Sequence, residues 1–377
     1  MDKSVVIIGG GMAGVSAAYF LSELVTVVLL EAEQFIGTHS SGRSAEQFTI
    51  GIAAETMRRM GEASREFFTT PPAGFCSEPL ASPRGCLTVG RIDQHEALDK
   101  VYNRIISVGA RARYVDREEA LTLFPMLRSE GFDKGVYEPD SMDIDSNLLL
   151  QSYSRGAKAR GAKILTRAKV SGIEKRSDGW IVMTAQENFE CDMVLNAAGA
   201  WVDEIAKIAG VTPIGITPCR RSAFTFNGPE HMDASGWPHV CNVDYKWYVQ
   251  PAGEGMIGSL AETVPVPPGD AYPEDIDIAQ AVYNIEQDTC LKIGKPLSAW
   301  AGLRNFVADK NPVCGSRSGE EGFFWLAGQG GCGILTSPAM GQAAAALMLG
   351  KELPVTQREL GIKPEDLAPD RASIQSS

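Results

Sequence analysis

A chain of 377 residues is long enough for about two domains. Hydrophobic residues make up 44% and charged residues 22%, which favours a folded protein with a sizeable core over a disordered chain. The formal net charge of −12 argues against nucleic acid or an anionic membrane as the main partner. No apolar run approaches the roughly 20 residues that span a bilayer, and no signal-peptide pattern follows the N-terminus. We therefore expect a cytoplasmic protein without a transmembrane segment.

The N-terminal segment has the pattern of a strand, a helix and a second strand. Residues 4–9 form a continuous apolar run, typical of a buried parallel strand. The next residues place apolar side chains at the i, i+3, i+4, i+7 spacing of a helix: Ala17, Phe20, Leu21 and Leu24. A second apolar run over residues 25–30 ends at Glu31. Together these predict a complete βαβ unit.

Three glycines in this unit, Gly9, Gly11 and Gly14, fill the frame G-x-G-x-x-G. The first permits a tight turn, the second lets the backbone approach a pyrophosphate, and the third lets the helix pack closely on the strand. The helix N-terminus then offers free N–H groups to phosphates. Glu31, about 20 residues further on, can accept hydrogen bonds from ribose hydroxyls. The order of these features predicts a dinucleotide site, without separating NAD from FAD.

Two later segments favour FAD over NAD. Residues 36–45 carry small residues, hydroxyls and one arginine where a nicotinamide dehydrogenase would have a further crossover helix. Near the C-terminus, a glycine-rich loop at 328–333 precedes Ser337, a candidate N-cap, and Pro338, a candidate first helical residue. A helix N-terminus aimed at the flavin would stabilise the negative charge that develops on reduction.

The middle of the chain predicts a second, sheet-based domain. Further α/β elements are predicted at 148–159 (helix), 163–165 and 192–197 (strands), 322–327 (strand) and 338–349 (helix), with a hairpin over 168–185. Longer strands begin after residue 215. We predict an α/β fold in which a discontinuous Rossmann-like domain, residues 1–80, 145–215 and 300–377, binds the cofactor. A substrate domain, residues 81–144 and 216–299, is an α+β insertion on a mixed or antiparallel sheet.

Metal binding is not expected from cysteine and histidine spacing. The eight cysteines, at positions 76, 86, 191, 219, 241, 290, 314 and 332, form no C-x-x-C pair. The four histidines are not at metal-ligand spacing. We therefore expect reduced thiols and no metal site.

For a small-molecule substrate, by contrast, two arginine-bearing apolar segments (218–224 and 300–306) and Tyr248 suit the capture of a carboxylate.

The motifs together resemble a known family. The N-terminal fingerprint, residues 40–45, Asn196–Trp201, Trp300–Arg304 and the flanks of residues 330–334 are similar to those of FAD-dependent amine and D-amino-acid oxidoreductases. That family includes glycine and sarcosine oxidases, and within it the chain looks most like bacterial D-arginine dehydrogenases. The resemblance implies a FAD domain of the glutathione-reductase-like type and noncovalent FAD.

The resemblance also implies site residues. Arg221, Arg304 and Tyr248 would bind the substrate carboxylate, and the backbone around Gly331 would meet the amino group. The residues that would line the FAD, together with Gly9, Gly11 and Gly14, are Ala13, Glu31, Ala32, Ser40, Ser41, Gly42, Arg43, Ser44, Ala45, Gln47, Val170, Gly331, Cys332, Gly333, Ile334, Leu335 and Thr336.

Three pocket positions depart from the D-arginine dehydrogenase pattern. Cys86 stands where that enzyme has the guanidinium-binding Glu, Gln47 where it has a His, and Ile52 where it has a lid Tyr. A basic side chain would be left without a partner in a partly desolvated pocket. We therefore expect oxidative deamination of a neutral or apolar D-amino acid, by hydride transfer from Cα to flavin N5, to an imino acid and then a 2-oxo acid and ammonia.

Other functions stay open at this point. Secondary amino acids, such as sarcosine, proline or opines, and glycine need the same carboxylate anchor, and a 2-hydroxy acid could be oxidised on the same fold. A noncatalytic flavin-binding subunit of a heteromeric oxidase is a further alternative. The electron acceptor (oxygen, a quinone or an electron carrier) is not indicated by the sequence.

Overall fold

A computed structural model describes residues 3–51 and 53–375. Its strands in chain order are β1 (Ser4–Ile8), β2 (Thr26–Leu30), β3 (Gln47–Phe48), β4 (Ala81–Pro83), β5 (Cys86–Gly90), β6 (Arg113–Asp116), β7 (Lys134–Glu138), β8 (Met142–Ile144), β9 (Lys163–Leu165), β10 (Val170–Arg176), β11 (Gly179–Thr184), β12 (Asn188–Cys191), β13 (Met193–Asn196), β14 (Thr217–Asn227), β15 (His239–Asn242), β16 (Tyr248–Ala252), β17 (Gly255–Ser259), β18 (Val264–Pro265), β19 (Ser298–Phe306), β20 (Val313–Ser316) and β21 (Phe323–Ala327).

The α-helices in the same residues are α1 (Met12–Leu21), α2 (Glu55–Thr69), α3 (His95–Ile106), α4 (Arg117–Leu123), α5 (Ser146–Ala159), α6 (Val202–Ile208), α7 (Asp275–Asp288), α8 (Ser337–Met348), α9 (Val355–Glu359) and α10 (Ala372–Gln375). Short 3-10 helices include Ser40–Arg43 and Gly199–Trp201. No described helix combines the length and the apolar character needed to cross a bilayer.

A six-stranded sheet in the order β20-β21-β13-β1-β2-β9 carries the N-terminal βαβ unit. Its strands are parallel except for the edge strand β20. β1 lies inside this sheet, and residues 5–8 of it are buried, as a continuous apolar run predicts. Helix α1 packs against α5 and α8 on one face. The predicted Rossmann-like α/β architecture is confirmed.

Helix α1 is shorter than the apolar spacing predicts. It ends at Leu21, and Leu24 is 47% exposed. The amide N–H groups of Leu24 and Val25 both donate to the carbonyl of Leu21, which turns the chain directly into β2. The i+7 position therefore lies in the connecting turn.

The second large sheet is mixed, one of the two arrangements predicted, with the order β18-β14-β17-β16-β15-β5-β7-β6 and β19 paired with β14. β5 and β15 run parallel and the other pairs antiparallel. Helix α7 covers one face, where its Ile285 joins Phe224 in a buried cluster. β19 begins at Ser298, before the predicted domain boundary at residue 300, and pairs along its length with β14. The domain boundaries themselves stay a prediction.

An ion pair ties the C-terminal segment to the loop after β19. Arg371 donates from Nε and Nη2 to the two carboxylate oxygens of Asp309, at 2.7 and 2.8 Å, and both side chains are largely buried. Burial pushes the pKa of Asp309 upward, but hydrogen bonds from Arg371 and Ser373 outweigh it and hold that pKa at about 2. The pKa of an aspartate in an unfolded chain is about 3.9. At a pH above that value the ionised Asp309 contributes its full stabilisation of the fold, and this contribution is lost as the pH falls towards 2.

We expect Asp309→Asn to lower the free energy of unfolding by about 3 kcal/mol at pH 7, because a largely buried Arg371 loses its counter-ion. Urea unfolding at several pH values measures this. The difference from the wild type should shrink as the pH falls from about 4 to 2. Glu55→Gln, which breaks the exposed pair with Arg59, is the control and should cost under about 1 kcal/mol. Equal effects of the two variants would contradict the assignment.

Candidate functional site

The three fingerprint glycines have different surroundings. Gly9 has φ +108°, and a Cβ there would lie 2.5 Å from the carbonyl oxygen of Ala197. A Cβ at Gly14 would overlap the carbonyl oxygen of Gly9. At Gly11 a Cβ would meet only the Oγ of Ser41, at 3.4 Å. Gly9 and Gly14 are therefore required by close packing of the protein itself, whereas Gly11 leaves open space beside the start of α1.

Glu31 lies at the carboxyl end of β2 and is fixed by backbone donors. Its Oε2 accepts from the N–H of Gly10 at 2.6 Å, and its Oε1 from the N–H of Glu33 at 2.7 Å. The N–H of Met12, at the start of α1, donates to the Oγ of Ser41 at 2.9 Å. An acid and a helix N-terminus thus lie at the same edge of the sheet, where doubly wound folds bind ligands.

A cavity of about 540 Å³ opens at this edge. We call it the cofactor cavity. Its lining includes these predicted cofactor residues: Gly9, Gly11, Ala13, Glu31, Ala32, Ser40, Ser41, Ser44, Val170, Gly331, Gly333 and Ile334. Arg304 lines it as well. One continuous space therefore contacts both the dinucleotide fingerprint and Arg304, whereas the other two predicted anchor residues, Arg221 and Tyr248, do not line it.

Other predicted cofactor residues do not line the cavity: Gly14, Gly42, Arg43, Ala45, Gln47, Cys332, Leu335 and Thr336. The guanidinium of Arg43 pairs with Asp270 and donates to the carbonyls of Ala271 and Ala301. Arg43 thereby ties the 3-10 helix Ser40–Arg43 to the substrate sheet. Helix α8 starts at Ser337 with Thr336 before it, so the predicted N-cap at Ser337 is wrong by one residue.

The cavity wall also contains a segment that the sequence analysis did not assign to the site. Ala197, Ala198, Gly199, Ala200 and Trp201 line it directly after β13. The signal that marks them is their position at the carboxyl end of a buried parallel strand. Gly199 has φ +57° there. The ring of Trp201 lies 4.7 Å from that of His39, which is also in the wall.

Strand register brings Arg221 and Arg304 together. On β14 and β19, Arg221 is opposite Gly302 and Arg304 is opposite Cys219. Side chains alternate between faces along a strand, so the two arginines are diagonal neighbours on one face. The same alternation through β17 and β16 places Tyr248 on that face. We call Arg221, Tyr248 and Arg304 the anchor face.

Arg304 is a buried cation without a counter-ion among the described residues. It is 9% exposed. In the part of the chain that the structure describes, its one hydrogen bond runs from Nη1 to the carbonyl of Leu303, at 3.5 Å. Burial lowers the pKa of this guanidinium, and the positive charge of Arg221 lowers it further. A buried charge left without a partner costs several kcal/mol, so this position favours an anion.

Arg221 is only partly engaged. Its Nε donates to the carbonyl of Glu262 at 3.1 Å, and its Nη2 to the Oγ1 of Thr263 at 3.2 Å. A Cβ at Gly331 would lie 3.5 Å from the Cδ of Arg304 and 3.9 Å from the Nη1 of Arg221. Both guanidiniums therefore approach Gly331, where the absence of a side chain leaves room for a ligand.

The remaining predicted pocket positions lie in different surroundings. Gln47, on β3, has a buried Nε2 with no hydrogen-bond partner among the described residues. Cys86 is buried at the start of β5 on the same sheet face as Tyr248. Ile52 lies outside the described residues. The structure thus places the Cys86 thiol on the anchor face, whereas Gln47 lies on a strand of a separate three-stranded sheet.

Cys86 is not beside a free carboxylate. Glu138 is opposite it on β7, but both its oxygens accept hydrogen bonds, from the Oγ1 of Thr49 and the N–H groups of Ile50 and Gly51. Burial raises the pKa of Glu138. This carboxylate holds the loop after β3 through these three hydrogen bonds and is not free to pair with a substrate cation.

The family follows from a comparison with known proteins. A family model named DAO and described as FAD dependent oxidoreductase matches residues 4–347. The chain belongs to this family. As a DAO-family protein it uses FAD as its cofactor, and the residues fit that group. Gly11 leaves the space that a pyrophosphate needs beside a helix N-terminus, Glu31 can accept from ribose hydroxyls, and the cavity volume is within the range of small-molecule sites.

Individual DAO-family relatives are distant. Human mitochondrial dimethylglycine dehydrogenase is 26% identical over 94% of this chain, which spans 43% of that protein. Among solved structures, the L-alpha-glycerophosphate oxidase of Mycoplasma pneumoniae, with FAD bound, has a TM-score of 0.83 at 21% identity, covering 92% of this chain and 94% of that one. The L-proline dehydrogenase of P. horikoshii has a TM-score of 0.82 at 23% identity, covering 96% and 98%. These similarities establish the shared fold.

Proposed function

We propose that this protein is a FAD-dependent oxidoreductase of an α-amino acid, which it holds by the carboxylate on the anchor face. The observation that carries the proposal is the pair of guanidiniums approaching Gly331. Arg304 lies buried at the wall of the cofactor cavity, and no described residue supplies its counter-ion. A planar carboxylate matches the donor geometry of guanidinium groups. The name of the related dimethylglycine dehydrogenase, an enzyme of an N-substituted amino acid, supports this substrate class.

The protein's part in the reaction is positioning and charge compensation. Arg304 and Arg221 hold the carboxylate, and the phenol of Tyr248 is a further donor on the same face. The glycine at 331 leaves space for the Cα and the amino group beside the cavity. Gln47, an amide, takes no proton, so the substrate amine has to bind or become neutral without help from that side chain. Bound FAD supplies the redox chemistry by accepting a hydride from the substrate carbon.

Within this class we propose D-amino acids with neutral or apolar side chains. The pocket has a thiol at Cys86 where a basic side chain would need a carboxylate, and the nearby Glu138 is already occupied by three donors. The electrons of the broken Cα–H bond leave the substrate, the amine lone pair forms a C=N bond, and water hydrolyses the imino acid to a 2-oxo acid and ammonia.

A second candidate is an N-substituted amino acid, favoured by the similarity to dimethylglycine dehydrogenase and to the L-proline dehydrogenase fold. The anchor is the same and only the amine end of the substrate differs. An acyclic N-alkyl substrate releases an amine or leaves an aldehyde fragment instead of ammonia, so the products separate the two candidates.

An anaerobic reduction experiment tests the proposal. We expect D-leucine, D-methionine or D-phenylalanine to bleach the flavin absorption of the purified protein faster than D-arginine, because in the described residues the carboxylate opposite Cys86 already accepts three hydrogen bonds and is not free for a guanidinium. The L-enantiomers, sarcosine, dimethylglycine and L-proline belong in the same panel. Faster reduction by D-arginine contradicts the side-chain preference, and reduction by N-substituted substrates alone supports the second candidate. A flavin that no amino acid bleaches would overturn the proposed substrate class.

A further inference from the structure

Three buried ligand-type side chains meet beside the anchor face. Cys86 on β5 and His239 and Cys241 on β15 are at most 3% exposed. The two Sγ atoms and one ring nitrogen of His239 all lie within 4.8 Å of one another. We call these three residues the thiol–imidazole cluster. Sequence spacing does not reveal it, because Cys86 lies on a strand far from His239 and Cys241 in the chain.

Hydrogen bonds fix the tautomer of His239. Gln250 donates from Nε2 to the carbonyl of Ala45 at 2.7 Å, so its Oε1 is the atom that faces His239. That oxygen only accepts, and it lies 3.0 Å from Nδ1 of the ring. Nδ1 therefore carries a proton, and Nε2 is the nitrogen that the neutral ring offers to a ligand. Nε2 is buried and has no hydrogen-bond partner in the described residues.

This arrangement is typical of a metal-ligating histidine. Such a histidine donates its second ring N–H to an oxygen acceptor, which orients the ring and keeps the other nitrogen free for the metal. Two thiolates with one neutral imidazole also balance the two positive charges of a divalent ion, as burial requires.

A disulfide does not fit the same atoms. Cys86 is opposite His239 and Cys241 is opposite Thr88, so the two cysteines are diagonal neighbours on adjacent strands. With strands about 4.8 Å apart and a rise of about 3.3 Å per residue, diagonal neighbours have Cα atoms about 8 Å apart, beyond the roughly 7 Å that a disulfide spans without backbone movement. A tetrahedral zinc ion with Zn–S of about 2.3 Å and Zn–N of about 2.0 Å separates its ligand atoms by about 3.5–3.8 Å, which small side-chain shifts provide here.

We propose that Cys86, His239 and Cys241 form a binding site for a thiophilic divalent cation of the zinc class, with one coordination position left open. Three protein ligands are the number found in zinc sites that keep a position for water or another small ligand. The His239 ring stacks on that of Tyr248, with centroids 5.0 Å apart. A metal bound to the cluster would fix the His239 ring, which is in contact with Tyr248 of the anchor face. The sequence analysis expected no such site.

The test uses the full-length protein with its FAD, purified with reductant and then freed of metal by a chelator. We expect one equivalent of Zn²⁺ per chain in a titration against a chromophoric competitor, and tetrahedral thiolate bands with Co²⁺ at wavelengths beyond the flavin absorption. Cys86→Ser, Cys241→Ser and His239→Gln should each abolish stoichiometric binding. Cys314→Ser removes another buried cysteine, on β20, and should bind as the wild type does.

A positioning variant separates coordination from general structural damage. Gln250→Leu leaves all three ligands but removes the acceptor of Nδ1, and we expect zinc affinity to fall by about 10- to 100-fold. Flavin content and circular dichroism of each variant show whether it is folded, and the Co²⁺ spectrum of the wild type needs no variant at all. Absence of stoichiometric zinc binding by the wild type, unchanged binding by Cys86→Ser, or a Cys86–Cys241 disulfide found by thiol titration and mass would overturn the site.

Discussion

Replacing Arg304 with methionine is expected to lower kcat/KM for the amino-acid substrate by about 30-fold to several thousand-fold. Removing one partner of a buried, hydrogen-bonded charge pair costs roughly 2–5 kcal/mol of binding, and each 1.36 kcal/mol is about tenfold in rate. Methionine keeps much of the volume of the arginine stem, so the loss reports the guanidinium. The measurement is anaerobic flavin reduction at several concentrations of the amino acid that reduces the wild-type flavin fastest.

The same substitution is expected to leave the free protein as stable as the wild type or more stable. Arg304 is buried without a counter-ion in the described residues, and replacing a buried charge with an apolar side chain of similar size is often neutral or stabilising. Denaturant unfolding measures this. A residue needed only for the fold would show the reverse result, with stability lost and the rate unchanged.

Arg220 provides the matched control. It is adjacent in sequence, but strand alternation points it to the opposite face, where it pairs with Glu274 and Asp277 at 2.9 and 2.8 Å. We expect Arg220→Met to lower stability and to change kcat/KM by less than a few-fold. If both variants lose activity equally, or if Arg304→Met keeps full kcat/KM, Arg304 is not part of a carboxylate anchor.

Local patterns were sufficient to predict the cofactor half of the molecule. β1, the glycine turn, α1, β2 and Glu31 follow one another within about 30 residues, so periodicity and spacing define them without knowledge of the tertiary fold. The predicted bounds of these elements differ from the structure at their ends. Leu24, for example, lies beyond α1, because the N–H groups of Leu24 and Val25 both donate to the carbonyl of Leu21 and end the helix there.

Contacts between distant segments were not predictable from local patterns. Arg43 follows the acid-bearing strand as a cofactor residue would, yet its partners are Asp270, Ala271 and Ala301, which only the fold brings near. The convergence of Arg221 with Arg304 was implied by a family resemblance, and its physical cause is the register of β14 and β19. Cys86 and His239 likewise meet only through the parallel pairing of β5 and β15, which cysteine spacing cannot express.

Alanine substitutions at Gly14 and Gly11 are expected to have different effects on stability, because the two glycines differ in their surroundings. Gly14→Ala is expected to destabilise the protein by about 3 kcal/mol or more, because its Cβ would overlap the carbonyl oxygen of Gly9 and push α1 away from β1. Gly11→Ala is expected to leave stability unchanged, since its Cβ meets only Ser41 Oγ at 3.4 Å. FAD-free protein unfolded in urea measures both effects.

FAD affinity, unlike stability, is expected to fall directly in Gly11→Ala rather than in Gly14→Ala. The methyl group of Gly11→Ala occupies the space in the cofactor cavity beside the start of α1, where the pyrophosphate needs close backbone approach. We expect the Kd for FAD, measured by flavin fluorescence quenching, to rise at least tenfold. Gly236→Ala, which meets nothing within 4 Å, is the control for both measurements. If Gly11→Ala binds FAD as tightly as the wild type, the pyrophosphate does not lie against Gly11. Because Gly14 acts through the protein's own backbone, any loss of FAD in Gly14→Ala should follow its loss of stability.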